Sequence, residues 1–112
     1  MKKVIISGIT GQDGNLLRNY LKEKNCDVLG LSRNKIKDKK IIKTDYSIKS
    51  LYKIIQFFKP DEIYNLTGLT KPSLSWKFPE NTFFANLNIT LNFLEIIKKK
   101  KKIKFFLKRL KI

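Results

Sequence analysis

Gly8, Gly11 and Gly14 stand at equal spacing within Val4-Ile5-Ile6-Ser7-Gly8-Ile9-Thr10-Gly11-Gln12-Asp13-Gly14. An apolar run leads into them and an amphipathic segment follows at once. The chemistry this pattern serves is phosphate binding. Gly8 allows a turn where a side chain would clash. Gly11 allows the backbone to approach a pyrophosphate closely. Gly14 allows the following helix to pack against the strand. The N–H groups and positive dipole end of that helix then face the phosphates. Ile9, Thr10, Gln12 and Asp13 fill the turn between the glycines. Glycines at this spacing occur in ordinary turns too; a strand before and a helix after give them their weight.

Arg33 is the second candidate. It follows an apolar stretch, where a dinucleotide-binding fold meets the adenosine ribose. An acid there accepts from the ribose hydroxyls and suits NAD; a cation pairs with a 2′-phosphate and suits NADP. Ser32-Arg33 supplies a hydroxyl and a guanidinium and no acid, so NADP is preferred over NAD. The plain alternative is a solvated arginine on a lysine-rich loop. Asp45 is the third candidate. It either accepts from an adenine amino group or caps the helix that starts near Ser47, and the sequence leaves both open. Leu66-Thr67-Gly68 closes another strand, where a small residue admits a cofactor; Gly68 serves a simple turn equally well.

The elements that must position these residues alternate. Lys3–Ser7 reads as a buried strand. Asp13–Lys24 reads as a helix with Leu16, Leu17, Tyr20 and Leu21 as its apolar stripe and Arg18 outward. Asn25 suits a left-handed stop. Asp27–Ser32 and Ile41–Lys43 are strands around a polar loop. Ser47–Lys59 is a helix with Leu51, Ile54, Ile55 and Phe58 on one face, stopped by Pro60. Glu62–Leu66 is the fourth strand, and 67–78 is a loop. A third helix runs from Pro79 to about Lys100, with Phe83, Leu87, Leu91, Leu94 and Ile97 as its stripe. Ile103–Leu107 is the fifth strand. This predicts an α/β, Rossmann-type, doubly wound parallel sheet ordered 3-2-1-4-5. Its ligand site lies beyond the carboxyl ends of the strands. Gly8–Gly14, Ser32-Arg33 and the segment Leu66, Thr67, Gly68, Leu69, Thr70 all end there. Two of the helices share one face, so the other face of strands 4 and 5 is expected bare, with strand 5 an open edge.

Composition bounds the rest. With 112 residues, 42% of them hydrophobic, the chain suits one domain. No run approaches the ~18 apolar residues of a membrane span. Met1-Lys2-Lys3 leads directly into a short strand, which does not fit a secretory signal. Without histidine, a His-based relay or His-ligated metal is excluded within these residues. Cys26 is a lone thiol with no ligand cluster in sequence. A cytoplasmic protein without membrane contact fits these features. The net charge is +16, and residues 98–112 hold nine of the 25 cations and no acid. Lys98–Lys102 and Lys104–Lys111, interleaved with Phe105 and Phe106, have the chemistry of a basic nucleic-acid-binding module. The spacing of a helix end followed by a buried strand disfavours that reading, since lysines in a last turn complement the helix dipole.

Gly8–Gly14, the run Lys59-Pro60-Asp61-Glu62-Ile63-Tyr64-Asn65-Leu66, and the helix end Asn92-Phe93-Leu94-Glu95-Ile96-Ile97 together resemble the N-terminal part of extended short-chain dehydrogenases/reductases. Among these they are most similar to the GDP-mannose 4,6-dehydratase family. The resemblance covers residues 1 to about 106 and sets 107–112 apart as a divergent basic tail. It implies NADP bound by Gly8–Asp13, Arg33, Asp45-Tyr46 and Leu66–Thr70. It implies a sugar nucleotide such as GDP-mannose as substrate, oxidised at C4, with water lost across C5 and C6 and the hydride returned. A homo-oligomer is compatible with it, and epimerases and reductases of sugar nucleotides share this half of the fold. Asn81 stands where the family carries tyrosine, so that contact is not carried over. The family's catalytic Ser/Thr, Glu and Tyr-x3-Lys positions follow the fifth strand. Tyr20-Leu-Lys-Glu-Lys24 spells that last motif, but on the first helix. The expectation is an incomplete nucleotide-binding domain from a truncated or frame-shifted dehydratase, inactive by itself.

Overall fold

The computed structural model describes residues 1–67, 79–100 and 102–107, with 79–85 described by backbone alone. Its elements are β1 (Lys3–Ser7), α1 (Gln12–Glu23), β2 (Asp27–Ser32), β3 (Ile41–Lys43), α2 (Ile48–Phe58), β4 (Glu62–Asn65), α3 (Pro79–Ile97) and β5 (Lys104–Leu107). The five strands form one sheet ordered β3-β2-β1-β4-β5. Every pairing is parallel, with Ile5 opposite both Leu29 and Ile63. The predicted order and strand direction therefore hold. Most bounds agree to within a residue, though α3 ends at Ile97 rather than near Lys100.

Alternation along the central strands makes two cores. Ile5, Leu29, Leu31 and Ile63 face α2 and α3, where they meet Leu51, Ile54, Ile55, Phe58, Ile89, Phe93 and Ile96. Val4, Ile6 and Val28 face α1 and meet Ile9 and Leu21. A strand covered on both faces needs apolar residues at every position, which explains the unbroken run in β1. The acids of Pro60-Asp61-Glu62 clamp the start of that strand. Asp61 Oδ2 accepts the Lys3 N–H at 2.8 Å, and Lys2 Nζ lies 3.3 Å from Glu62 Oε2.

Local stops follow the sequence. Asn25 adopts φ 61° just after α1, and the Cys26 N–H bonds back to the Leu21 carbonyl at 3.0 Å. Ser47 caps α2 by accepting the Ser50 N–H at 3.2 Å. At the other end Lys59 turns left-handed, at φ 54°, immediately before Pro60.

Two stripes differ from expectation. In α1, Leu17 and Leu21 pack inward with Gly14, whereas Leu16 and Tyr20 are more than half exposed. Close approach at Gly14 fixes the rotation of this helix and turns Leu16 and Tyr20 away. Arg18, expected outward, is half-buried beside the inward face. In α3 the buried residues are Ile89, Phe93 and Ile96, while Leu87, Leu91 and Leu94 are exposed on the far side. Of the expected stripe Ile97 packs on the core, and the Phe83 side chain lies outside the described residues. This helix is apolar on two sides, so periodicity alone could not choose between them. Polar neighbours choose: Asn92 Nδ2 donates to the Tyr46 carbonyl at 2.9 Å, and Asn65 Nδ2 donates to Thr90 Oγ1 at 3.2 Å.

The far face of β4 and β5 carries Tyr64 stacked on Phe106 with centroids 4.7 Å apart. Tyr64 packs beside the cluster that includes Leu21 of α1, whereas Phe106 and Leu107 remain substantially exposed.

The choice of face in α3 is testable. Phe93→Ala should cost about 3–5 kcal/mol, and Leu91→Ala less than about 0.5 kcal/mol. Urea unfolding followed by circular dichroism reads both; equal losses would contradict the assigned face.

Candidate functional site

The first glycine is fixed by its neighbours. Gly8 has φ 79°, and a Cβ there would lie 2.9 Å from the Thr67 nitrogen and 3.0 Å from the Leu66 carbonyl carbon. The turn after β1 thus presses directly on the chain leaving β4. Gly14 is tighter still: its Cβ would stand 2.5 Å from the Ile9 carbonyl oxygen. At Gly14 the helix therefore meets the turn's own backbone, and its next turns pack on the strands through Leu17 and Leu21. Ile9 in turn is buried, and its side chain fills the space over Gly30 of β2, where a Cβ would meet Ile9 Cδ1 at 2.3 Å.

Gly11 differs from both. It precedes α1 in an extended conformation, and a Cβ there would meet nothing within 4 Å. Thr10, Gly11, Gln12 and Asp13 form an exposed rim. The first helical bond runs from the Asn15 N–H to the Gly11 carbonyl at 3.1 Å. The N–H groups just ahead of it lie outside the helix ladder, at its positive end.

Arg33 follows β2 and is exposed, with its guanidinium carbon 5.8 Å above the Tyr46 ring. Asp45 is exposed after β3, and its Oδ1 accepts the Ser47 N–H at 2.9 Å. Its cap-like role is therefore present, two residues ahead of the Ser47 cap. Hydrogen bonds from Ser47, backbone first, hold the Asp45 carboxyl below the ordinary carboxylate range.

Tyr46 is 2% exposed and has φ 61°. Its ring meets Phe93 edge-on, with centroids 6.4 Å apart. Its Oη accepts the Gly8 N–H at 3.2 Å, and burial pushes the phenol's pKa up against the opposing effects of Ser7 and Gly8. The Tyr46 side chain supports the glycine turn from beneath; its backbone lies at the strand ends beside Asp45.

Leu66 and Thr67, expected at a cofactor, lie against Gly8; Gly68, Leu69 and Thr70 lie outside the described residues. Sequence reasoning missed Asn65, Gly30 and Thr90. Asn65 is buried at the end of β4, accepting from both the Thr67 N–H and the Thr67 hydroxyl through Oδ1. An amide at the carboxyl end of an otherwise buried strand is the signal that could have found it. Tyr20 and Lys24 sit on the solvent side of α1, with the lysine over the ring at 5.6 Å. Among the described residues no group of His, Cys, Asp and Glu could hold a metal ion, and no helix is long and apolar enough to cross a membrane.

The glycines should respond differently to substitution. Gly14→Ala should destabilise by about 1–3 kcal/mol or more, because the obstacle is backbone. Gly11→Ala should cost less than about 1 kcal/mol. Asp45 carries a pH signature. A carboxyl with a lowered folded-state pKa stabilises the fold above its unfolded value and loses that contribution as the pH falls through the folded one. The advantage of the native chain over Asp45→Ala in urea should be present at pH 7 and shrink in acid; an advantage unchanged throughout would contradict the assignment.

Comparison with known proteins agrees with this geometry. The family model for the NAD dependent epimerase/dehydratase family matches residues 4–108. A GDP-mannose 4,6-dehydratase from Yersinia enterocolitica is 31% identical, covering 88% of this chain and 32% of that protein. The chain spans about a third of the curated relatives it matches. An L-threonine 3-dehydrogenase from Trypanosoma brucei superposes with a TM-score of 0.82 at 25% identity, covering 96% of this chain and 36% of that one. A UDP-glucose 4-epimerase from Thermus thermophilus, in complex with NAD, shares the fold with a TM-score of 0.76 at 20% identity over 92% of this chain and 36% of that one. Glycine turn, sheet order and sequence similarity converge: the chain belongs to the NAD dependent epimerase/dehydratase family.

Proposed function

We propose that residues 1–112 are the cofactor-binding portion of a cytoplasmic sugar-nucleotide dehydratase of the GDP-mannose 4,6-dehydratase type, and that the cofactor is NADP. The observation that carries this is the contrast among the three glycines. Gly8 and Gly14 are required by contacts within the protein, whereas the space a Gly11 side chain would enter is open at the mouth of a helix. A glycine the fold does not need there fits a ligand's approach, and a pyrophosphate suits the positive helix end.

Arg33 supports NADP over NAD, since it brings a cation to the end of β2 and no acid accompanies it there. The exposed Asp45 and the backbone at Tyr46 would face the adenine. When bound, the nicotinamide supplies hydride acceptance and return. These residues bind and orient it; by the family resemblance the groups that move protons belong to positions following β5. On this reading residues 1–112 alone bind nucleotide without turnover. The relatives' substrate, GDP-mannose, is the sugar nucleotide proposed for the whole enzyme.

A lysine-lined cavity of about 560 Å³ lies between the ends of α2 and α3, before the amino ends of β4 and β5, lined by Lys59, Lys98, Lys99, Lys100 and Lys102. It is the one place where the described structure favours a basic nucleic-acid-binding module. Two of its cations are already engaged, Lys98 with Glu95 at 2.7 Å and Lys100 with Gln56 at 2.7 Å. The cofactor reading therefore stands first.

NADPH fluorescence titration of the chain tests it, with NADH and Gly11→Val as controls. Saturable binding that favours NADPH and falls at least tenfold in the variant is expected. It should survive added salt far better than phosphate-backbone binding would. A folded chain that binds neither nucleotide would overturn the reading.

A further inference from the structure

Arg18 is a guanidinium in a place where the helix pattern expected solvent. Its side chain is only 13% exposed, and its Nη2 lies 2.9 Å from Asp38 Oδ2. Asp38 belongs to the loop between β2 and β3, the loop that begins with Arg33. Every polar group of Asp38 is used. Oδ1 accepts the Lys40 N–H at 2.8 Å. The Asp38 N–H donates to the Ile36 carbonyl at 2.8 Å, and its carbonyl accepts the Ile41 N–H at 3.1 Å. Hydrogen bonds to Lys40 and Arg18 hold its carboxyl below the ordinary range, so it is charged at neutral pH.

The loop has reason to need this. Residues 33–40 carry Arg33, Lys35, Lys37, Lys39 and Lys40 against the single acid Asp38. Five like charges on eight residues favour an extended, solvated loop. Its two ends are also fixed: Ser32 Oγ accepts the Asn34 N–H at 3.1 Å, and Lys40 Nζ reaches Asp27 at 2.7 Å. The middle is tied down by Arg18, one helical turn beyond Gly14. One ion pair thereby joins the loop bearing Arg33 to the helix whose first turn meets the pyrophosphate.

We propose that the Arg18–Asp38 ion pair is a specificity-determining positioning device that holds Arg33 at a fixed distance from the glycine turn, selecting a nucleotide with a 2′-phosphate. The proposal rests on the nucleotide-binding reading above. Arg18 touches no ligand in this scheme; it acts through the loop. Holding the loop in its bound arrangement lowers the ordering cost of binding only for the ligand that uses Arg33. The pair should therefore change the ratio of two affinities, whereas a purely structural pair would change both alike.

The test is titration of the full chain and of Arg18→Met with NADPH and with NADH. NADPH affinity should fall about tenfold in the variant while NADH affinity stays within about twofold. Arg18→Lys, which restores the charge, should recover most of the loss. Asp38→Asn keeps the size of the side chain and the bond to Lys40, and serves if the methionine variant does not fold; it should shift the ratio in the same direction. A preference for NADPH unchanged in the variants, or a loss shared equally by both nucleotides, would overturn this proposal and leave the cofactor reading intact. Wild-type chain that binds neither nucleotide, or favours NADH, would overturn it through that reading.

Discussion

The structure depends on a backbone-to-backbone contact. Gly14 of α1 rests on the carbonyl of Ile9, at a distance that leaves no room for a methyl group. That contact sets how far the helix stands from the sheet and which way it is rotated. Ile9 in turn fills the space over Gly30 of β2. Gly8 completes the arrangement by lying flat against the chain leaving β4. Three close approaches thus lock β1, β2, β4 and α1 around a turn of seven residues. The positive end of the helix is aimed as a by-product of packing.

Most of the fold was legible because each strand had a distinct sequence form. Buried on both faces, β1 reads as an unbroken apolar run, and β2 differs only where Gly30 receives Ile9. The amphipathic face of α2 came out residue for residue, since Leu51, Ile54, Ile55 and Phe58 are its only well-spaced apolar set. In α1 and α3 the same reasoning chose wrongly for physical reasons. Both helices hold more apolar residues than one face can bury, and the deciding contacts are invisible to periodicity. One is the backbone contact at Gly14, too close for a methyl group; the other is the need of Asn92 and Thr90 for partners at the ends of β3 and β4.

The candidate site was partly legible for a related reason. Glycine spacing announces a tight turn but not which glycine serves the protein and which leaves space outside it. The space around each separates Gly11 from Gly8 and Gly14. Tyr46 shows the reverse ambiguity. It lies at the strand ends, where a ligand-facing residue is expected, yet its ring is committed to Phe93 and its hydroxyl to the Gly8 N–H. Side-chain direction, set by a positive φ, could not be read from position in the chain.

The pairing of β1 with β4 has a consequence for the chain as it is made. Lys3 and Asp61 meet across 58 positions of sequence, and Val4 has Glu62 as its register partner. The first of the five strands to be made therefore fills the centre of the sheet only once β4 has been made. At about 5–20 residues per second, Val4-Ile5-Ile6 wait some 3–12 s with one edge unpaired. Once β2 has also been made, β1 has it on one side and an apolar edge open to other chains on the other. The strand that organises the finished domain is thus also its most exposed liability during synthesis, and chaperone demand should peak before residue 62 emerges.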